Sequence, residues 1–476
     1  MPASNSETPN TPARFNLTGF AERSFLLICS SLLRLAVQLA ILFIFSRKLP
    51  VADYGLYQSV WLYSNVISVI AVFGLPSLIL SVTITDIRKW IAANKKTFAF
   101  AAISLHLLPI LYILLFAEKY DPVTKLLLLA LVLVQNISIL TEALAIKNKK
   151  EKKVLISNIV FSLGYLAVHL YAIYISWSLP FILAGIIVMH IVKTLFLWPS
   201  KNSLQSNTAA VASASTGKQW LYLGINDTAG VLFKWIDKWL ILSFLPLTQF
   251  ALYTNGSYEI PVFGLMLSAV GNIMLVDLSE KEGGIAQHIQ QAFKRSSTLL
   301  ASVVFPAFCF LFFYSNTFFT FLFSDKYATA IPIFVISIFV LPVRITSFTA
   351  VLQAYHSNDI IVKGAVLDLL LAAVFMAILY PIFKLNGLAA AFVLSTYIQA
   401  AYYLWQTGKL VDQKITQFFP FRQLIYMMLI AVLVMSASFY LPGLLSYSAN
   451  MFAGAAICLL LILAQLYYQY KKIKKD

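Results

Sequence analysis

Four basic side chains, Arg34, Lys234, Lys238 and Arg344, lie inside apolar runs of membrane-spanning length. A charge at the bilayer centre costs roughly 2.5–3.5 kcal/mol on insertion scales, so each must face protein or a water-filled cavity. Held there, a guanidinium fork or an ammonium can bind an anionic group, phosphate foremost. At about 100° per residue, Asp227, Lys234 and Lys238 fall nearly on one line of a helix, with Asp237 on its flank. Gln38 follows Arg34 by one turn and shares its face.

A second reading stays open for each cation. Lys234 can neutralise Asp237 at i, i+3. Lys238 can snorkel towards the nearer surface. Arg344 follows Pro342, which frees a backbone carbonyl that a guanidinium can cap. Glu259, beside Pro261, and Asp368 are the deepest acids, and they either bind a coupling proton or sodium ion or pair with the cations. Pairing is the favoured of the two. Glu142 and Asp277 fall near helix ends and read as solvent-reached.

Other chemistries find no support in the residues. His106, His169 and His190 stand alone in apolar runs, and Cys29, Cys309 and Cys458 have no paired spacing, so neither a metal site nor a disulfide framework is implied. No nucleotide-binding glycine loop and no Ser/His/Asp arrangement is present. The expectation is a transporter without a cofactor rather than an enzyme.

The elements that must position these groups are membrane helices. Of the 476 residues, 60% are hydrophobic and 11% charged, with a mean hydropathy of +0.82. Apolar runs of about 20 residues recur throughout, which reads as an all-α polytopic membrane protein. Fourteen segments can be marked, from 24–46 to 447–469. With the N-terminus inside, 25 of the 35 Lys and Arg residues fall on the cytoplasmic side, six outside and four within spans. That asymmetry supports fourteen spans with both termini cytoplasmic. The net charge of +16 then reports orientation and contact with anionic lipid, not nucleic acid.

The chain divides into a polar tail (1–22), a first lobe of six spans (23–198), a Ser- and Ala-rich linker (199–218), a second lobe of six (219–408) and two further spans with a basic tail (409–476). An internal repeat crosses the linker. Leu49-Pro50 and Leu56-Tyr57 recur as Leu245-Pro246 and Leu252-Tyr253, an offset of 196, each at the hairpin joining the first two spans of its half. Parallel repeats of this kind place a binding site where the two bundles meet. The stretches 86–96 and 279–295 are basic and amphipathic, and read as headgroup-lying helices or solvated loops.

The chain resembles the polysaccharide or oligosaccharide flippase family of the multidrug/oligosaccharidyl-lipid/polysaccharide exporter superfamily. The residues that carry the likeness are Arg47-Lys48-Leu49-Pro50 with Asp53-Tyr54-Gly55-Leu56-Tyr57, then Phe73-Gly74-Leu75-Pro76, Asp237-Lys238, Ala330-Ile331-Pro332 and Asn386-Gly387-Leu388-Ala389. The second repeat copy departs from the family in carrying Phe250-Ala251 where glycine more often precedes the Leu/Tyr pair. The resemblance implies two six-helix lobes around a central cavity, two extra C-terminal helices, and rocking between inward- and outward-open states. It implies a polyprenyl-pyrophosphate-linked oligosaccharide as cargo (O-antigen, capsule or exopolysaccharide) in the cytoplasmic membrane, with polymerase or assembly proteins as partners. On that reading Arg34, Lys234, Lys238 and Arg344 are the substrate cations. Asn65 and Asn226 can reach sugar hydroxyls, although interhelical hydrogen bonds explain such asparagines without any ligand and are the favoured of the two readings. A cation-coupled multidrug antiporter and a lipid II flippase are the alternatives, and a membrane polysaccharide polymerase is a more distant one.

Overall fold

Within lipid a backbone must satisfy its own hydrogen bonds, and an apolar run does so as helix. The computed structural model follows that rule; it describes residues 17–175, 177–199, 215–279, 285–355, 357–440 and 447–473. Most of the tail and most of the linker read from the sequence lie outside the described residues, as do 474–476. The first helix starts at Leu17, within the stretch read as tail.

In chain order the helices are α1 (Leu17–Lys48), α2 (Val51–Val72), α3 (Leu75–Ser81), α4 (Ile84–Ala93), α5 (Lys95–Phe116), α6 (Pro122–Lys147), α7 (Glu151–Tyr174) and α8 (Leu179–Leu197). There follow α9 (Ser215–Phe244), α10 (Leu247–Gly256), α11 (Pro261–Ser279), α12 (Ile285–Phe313), α13 (Ser315–Phe323), α14 (Ile331–Ile338) and α15 (Phe348–Ala354). The last are α16 (Asn358–Val411), α17 (Ile415–Phe418), α18 (Phe421–Tyr440) and α19 (Tyr447–Ile473). No strand occurs among the described residues. Helix starts follow from capping chemistry. Asp121 accepts from the Val123 and Thr124 amides ahead of Pro122, and Ser178 accepts from the Phe181 amide ahead of Pro180. The hydrogen bonds from Thr124 hold the Asp121 carboxyl below its usual pKa.

Among the described residues each of the fourteen apolar segments is built mainly of helix, several of them broken. Eleven helical stretches among the described residues are long and apolar enough to cross a membrane, and the α10–α11 pair, bent by 51°, makes a twelfth. The charges of α9 keep it out of that tally. At 1.5 Å per residue the 54 residues of α16 would run about 80 Å, against a hydrocarbon core of about 30 Å. Lys384, at φ 52° and ψ −132°, breaks it into two spans just after Pro381.

The chain forms two compact units. One comprises Met1–Ile41 and Tyr63–Val231, the other Leu42–Leu62 and Leu232–Asp476. In the first, α8 packs on α6 and α7. The turn after α2 depends on Gly74, whose φ of 71° and close approach to the Gly224 backbone both exclude a side chain. The amphipathic segment 86–96 is mostly helix α4, and its Ile87 and Trp90 pack with Leu78 and Trp220. In the second unit α12 packs on α11, α18 and α19, and the described part of the other amphipathic segment is simply the first turns of α12.

The repeat explains itself in the second unit. A Cβ on Gly55 would be driven into the Leu247 carbonyl oxygen and would lie 3.3 Å from the Ala251 Cβ. Gly55 and Ala251 are equivalent residues at the offset of 196, so the two copies cross at matching positions. Such crossings need small side chains on both helices. Arg47, two residues before the first copy, donates to the carbonyls of Phe43 (2.9 Å) and Leu322 (3.1 Å), the latter in the last turn of α13, where helix carbonyls lack partners within the helix.

Candidate binding cavity

A cavity of about 470 Å³ in the second unit gathers Lys234, Asp237 and Lys238 of α9 with Glu259, Arg344 and Asp368. These are all the charged positions that the sequence singles out in the chain beyond residue 231, apart from Asp277. Broken helices deliver two of them. Glu259 sits in the bend between α10 and α11, and Arg344 follows the 3₁₀ turn Leu341–Val343 that interrupts the chain between α14 and α15. Irregular backbone at membrane depth is tolerated where it lines a cavity.

The charges are arranged in pairs and singles. Arg344 donates from Nη1 to Glu259 Oε2 at 3.0 Å and from Nη2 to Oε1 at 2.7 Å, a bidentate fork. Lys238 Nζ donates to Asp237 Oδ2 at 3.2 Å, and the Tyr253 hydroxyl donates to the same oxygen at 3.1 Å. Asp237 thus pairs with its neighbour Lys238 and not with Lys234. Lys234 is exposed to the cavity, 5.5 Å from the Trp235 ring, and no described carboxylate lies within 4.0 Å of it. Asp368 likewise has no described cation within 4.0 Å, and its Oδ1 is buried without a hydrogen bond. Three cations face three carboxylates, so the formal charge of the lining is zero. After the two ion pairs, one ammonium and one carboxylate of the lining remain with no described opposite charge within 4.0 Å.

The first unit holds a separate cluster. Arg34 Nη2 lies 3.5 Å from Glu142 Oε1, and Lys193 Nζ lies 2.6 Å from Glu142 Oε2. Asn158 donates to Glu142 at 3.1 Å and to Ser30 Oγ at 2.8 Å. Sequence reasoning treats Glu142 as solvent-reached and counts Lys193 among the cytoplasmic charges, yet the Lys193 side chain is only 6% exposed. The available signal was that each lies more than a turn inside its helix. Asp227, collinear with Lys234 on α9, accepts from Ser77 Oγ at 2.6 Å in the first unit and does not line the cavity. Gln38, Asn65 and Asn226 are exposed, and none of the three lines this cavity.

A family model described as "Polysaccharide biosynthesis protein" matches residues 44–332, more than half of the chain. Among solved structures the fold is similar to a lipid II flippase MurJ in an inward closed conformation, at a TM-score of 0.66 and 14% identity over 95% of this chain and 99% of that one. It is also similar to an inward-facing multidrug resistance MATE family transporter of the MOP superfamily, at 0.54 and 14% over 80% and 96%. A MOP superfamily transporter from Pyrococcus furiosus, described as having a binding pocket of reverse polarity, matches at 0.53 and 14% over 83% and 96%. No curated protein matches. The chain is a polytopic all-α membrane protein, and it belongs to the polysaccharide biosynthesis protein family.

Proposed function

We propose that the protein is a flippase that moves a polyprenyl-pyrophosphate-linked oligosaccharide across the cytoplasmic membrane by alternating access, with both termini cytoplasmic. One observation carries the reading: Lys234 stands in the cavity of the second unit with no described carboxylate within 4.0 Å, and the same cavity holds a second cation, Arg344, in a fork that phosphate can match. A pyrophosphate meeting Lys234 displaces no existing ion pair. At Arg344 it competes with Glu259, an exchange of one oxyanion for another. Such a site can both take and release an anionic headgroup. Family membership and the shared fold support the same direction, and the drug-antiporter alternative fits less well because the acids Glu259 and Asp237 are already neutralised. In the first unit, taken by itself, Arg34, with Gln38 on its face, is a cation for an anionic group and Asn65 and Asn226 are contacts for sugar; in the second, Asp368 is the group for a coupling proton or sodium ion.

The test is to express Lys234→Ala in cells deleted for this chain. Loss of surface polysaccharide, with lipid-linked oligosaccharide accumulating on the cytoplasmic face and the variant present in the membrane, is expected. Normal polymer with no such accumulation refutes the reading.

A further inference from the structure

A second cavity of about 1020 Å³ opens where α12, α17, α18 and α19 converge, and its composition differs from the first. Its lining holds two cations, Lys294 and Arg422, five glutamines and no carboxylate. Neither cation has a described carboxylate within 4.0 Å, and Arg422 lies 5.9 Å from the Tyr426 ring. Both amide atoms of Gln465 are shut away from solvent without a hydrogen bond, although the residue lines this cavity. A buried amide left unpaired in this way is destabilising, and a ligand offering both acceptor and donor would relieve it.

From these observations we infer that the cavity binds the headgroup of an anionic glycerophospholipid, independently of the transported cargo. The phosphodiester fits Lys294 and Arg422, and headgroup oxygens and hydroxyls fit Gln465 once its amide turns into the cavity. Position argues for a lipid over free phosphate. Arg422 is at the first turn of α18, a span, and the lining continues eight residues along it through Tyr426 and Met427 to Ile430, about 12 Å. A free phosphate has nothing to place against that apolar wall, whereas an acyl chain does. Basic pockets between transmembrane helices near a membrane surface recognise anionic lipids by this combination of charge and depth.

The experiment uses the purified full chain in micelles containing equal amounts of phosphatidylglycerol and phosphatidylcholine, with retained lipid read by native mass spectrometry. Phosphatidylglycerol should be retained preferentially. The double variant Lys294→Gln with Arg422→Gln should weaken its retention about thirtyfold, while lipid-free melting stays unchanged. A second variant, Ile430→Trp, fills the apolar end and should lower retention with both cations in place. Equal retention of the two lipids, or undiminished retention by the double variant, overturns the proposal. Displacement of the lipid by millimolar inorganic phosphate overturns the lipid assignment.

Discussion

Arg344 and Glu259, 85 residues apart in the chain, share two parallel hydrogen bonds of 3.0 and 2.7 Å across the cavity of the second unit. The fork neutralises a guanidinium where an anionic ligand is proposed to bind, so the carboxylate acts as a competitor for that ligand. Charge-assisted hydrogen bonds contribute roughly 1.5–3 kcal/mol. Glu259→Gln should therefore tighten binding of a soluble, short-chain polyprenyl-pyrophosphate sugar by about tenfold, and Arg344→Ala should weaken it by a similar factor. Isothermal titration of the two purified variants checks both, and weaker binding by Glu259→Gln would contradict competition at this position.

The cluster around Glu142 predicts an asymmetry in stability. Removing the carboxylate strands Lys193, whose side chain is 6% exposed, and breaking a buried pair costs about 3–5 kcal/mol. Arg34 is 43% exposed, so Arg34→Gln should cost about 1 kcal/mol or less. Thermal melting in detergent should show Glu142→Gln far below wild type and Arg34→Gln near it. Similar shifts in the two variants would mean that Lys193 reaches water after all.

At the crossing of the two repeat copies, Gly55→Ala forces a methyl into the Leu247 carbonyl. Overpacking of this kind costs about 1–3 kcal/mol. Gly264→Ala is the control, because a Cβ there meets nothing within 4 Å. It should be neutral or stabilising by about 0.5–1 kcal/mol through helix propensity. Melting of the two variants separates a constraint of the crossing from a general intolerance of alanine.

Residue patterns carry the outline of this fold a long way. Apolar runs mark the helices because their physics is local. Lys234, Lys238, Asp237, Glu259, Arg344 and Asp368 stand out for the same reason, a charge amid apolar neighbours being costly wherever the chain goes. Pairing is a different matter. No spacing relates Glu259 to Arg344, and the helical stripe that aligns Asp227 with Lys234 gives no hint that Ser77 takes Asp227. Glu142 reads as solvent-reached because it lies near a helix end, and only the packing of α8 on α6 brings Lys193 against it. The break at Lys384 sits within an almost continuous apolar stretch, where length rather than residue type shows that one helix must be two spans.

The most direct measurement is the affinity of purified Lys234→Ala and Lys234→Arg for the same short-chain pyrophosphate-linked sugar, with melting temperature as a check on folding. A lone cation that meets the headgroup predicts about a tenfold or greater loss for Lys234→Ala, near-complete retention for Lys234→Arg, and unchanged melting in both. Wild-type affinity in Lys234→Ala would contradict the account.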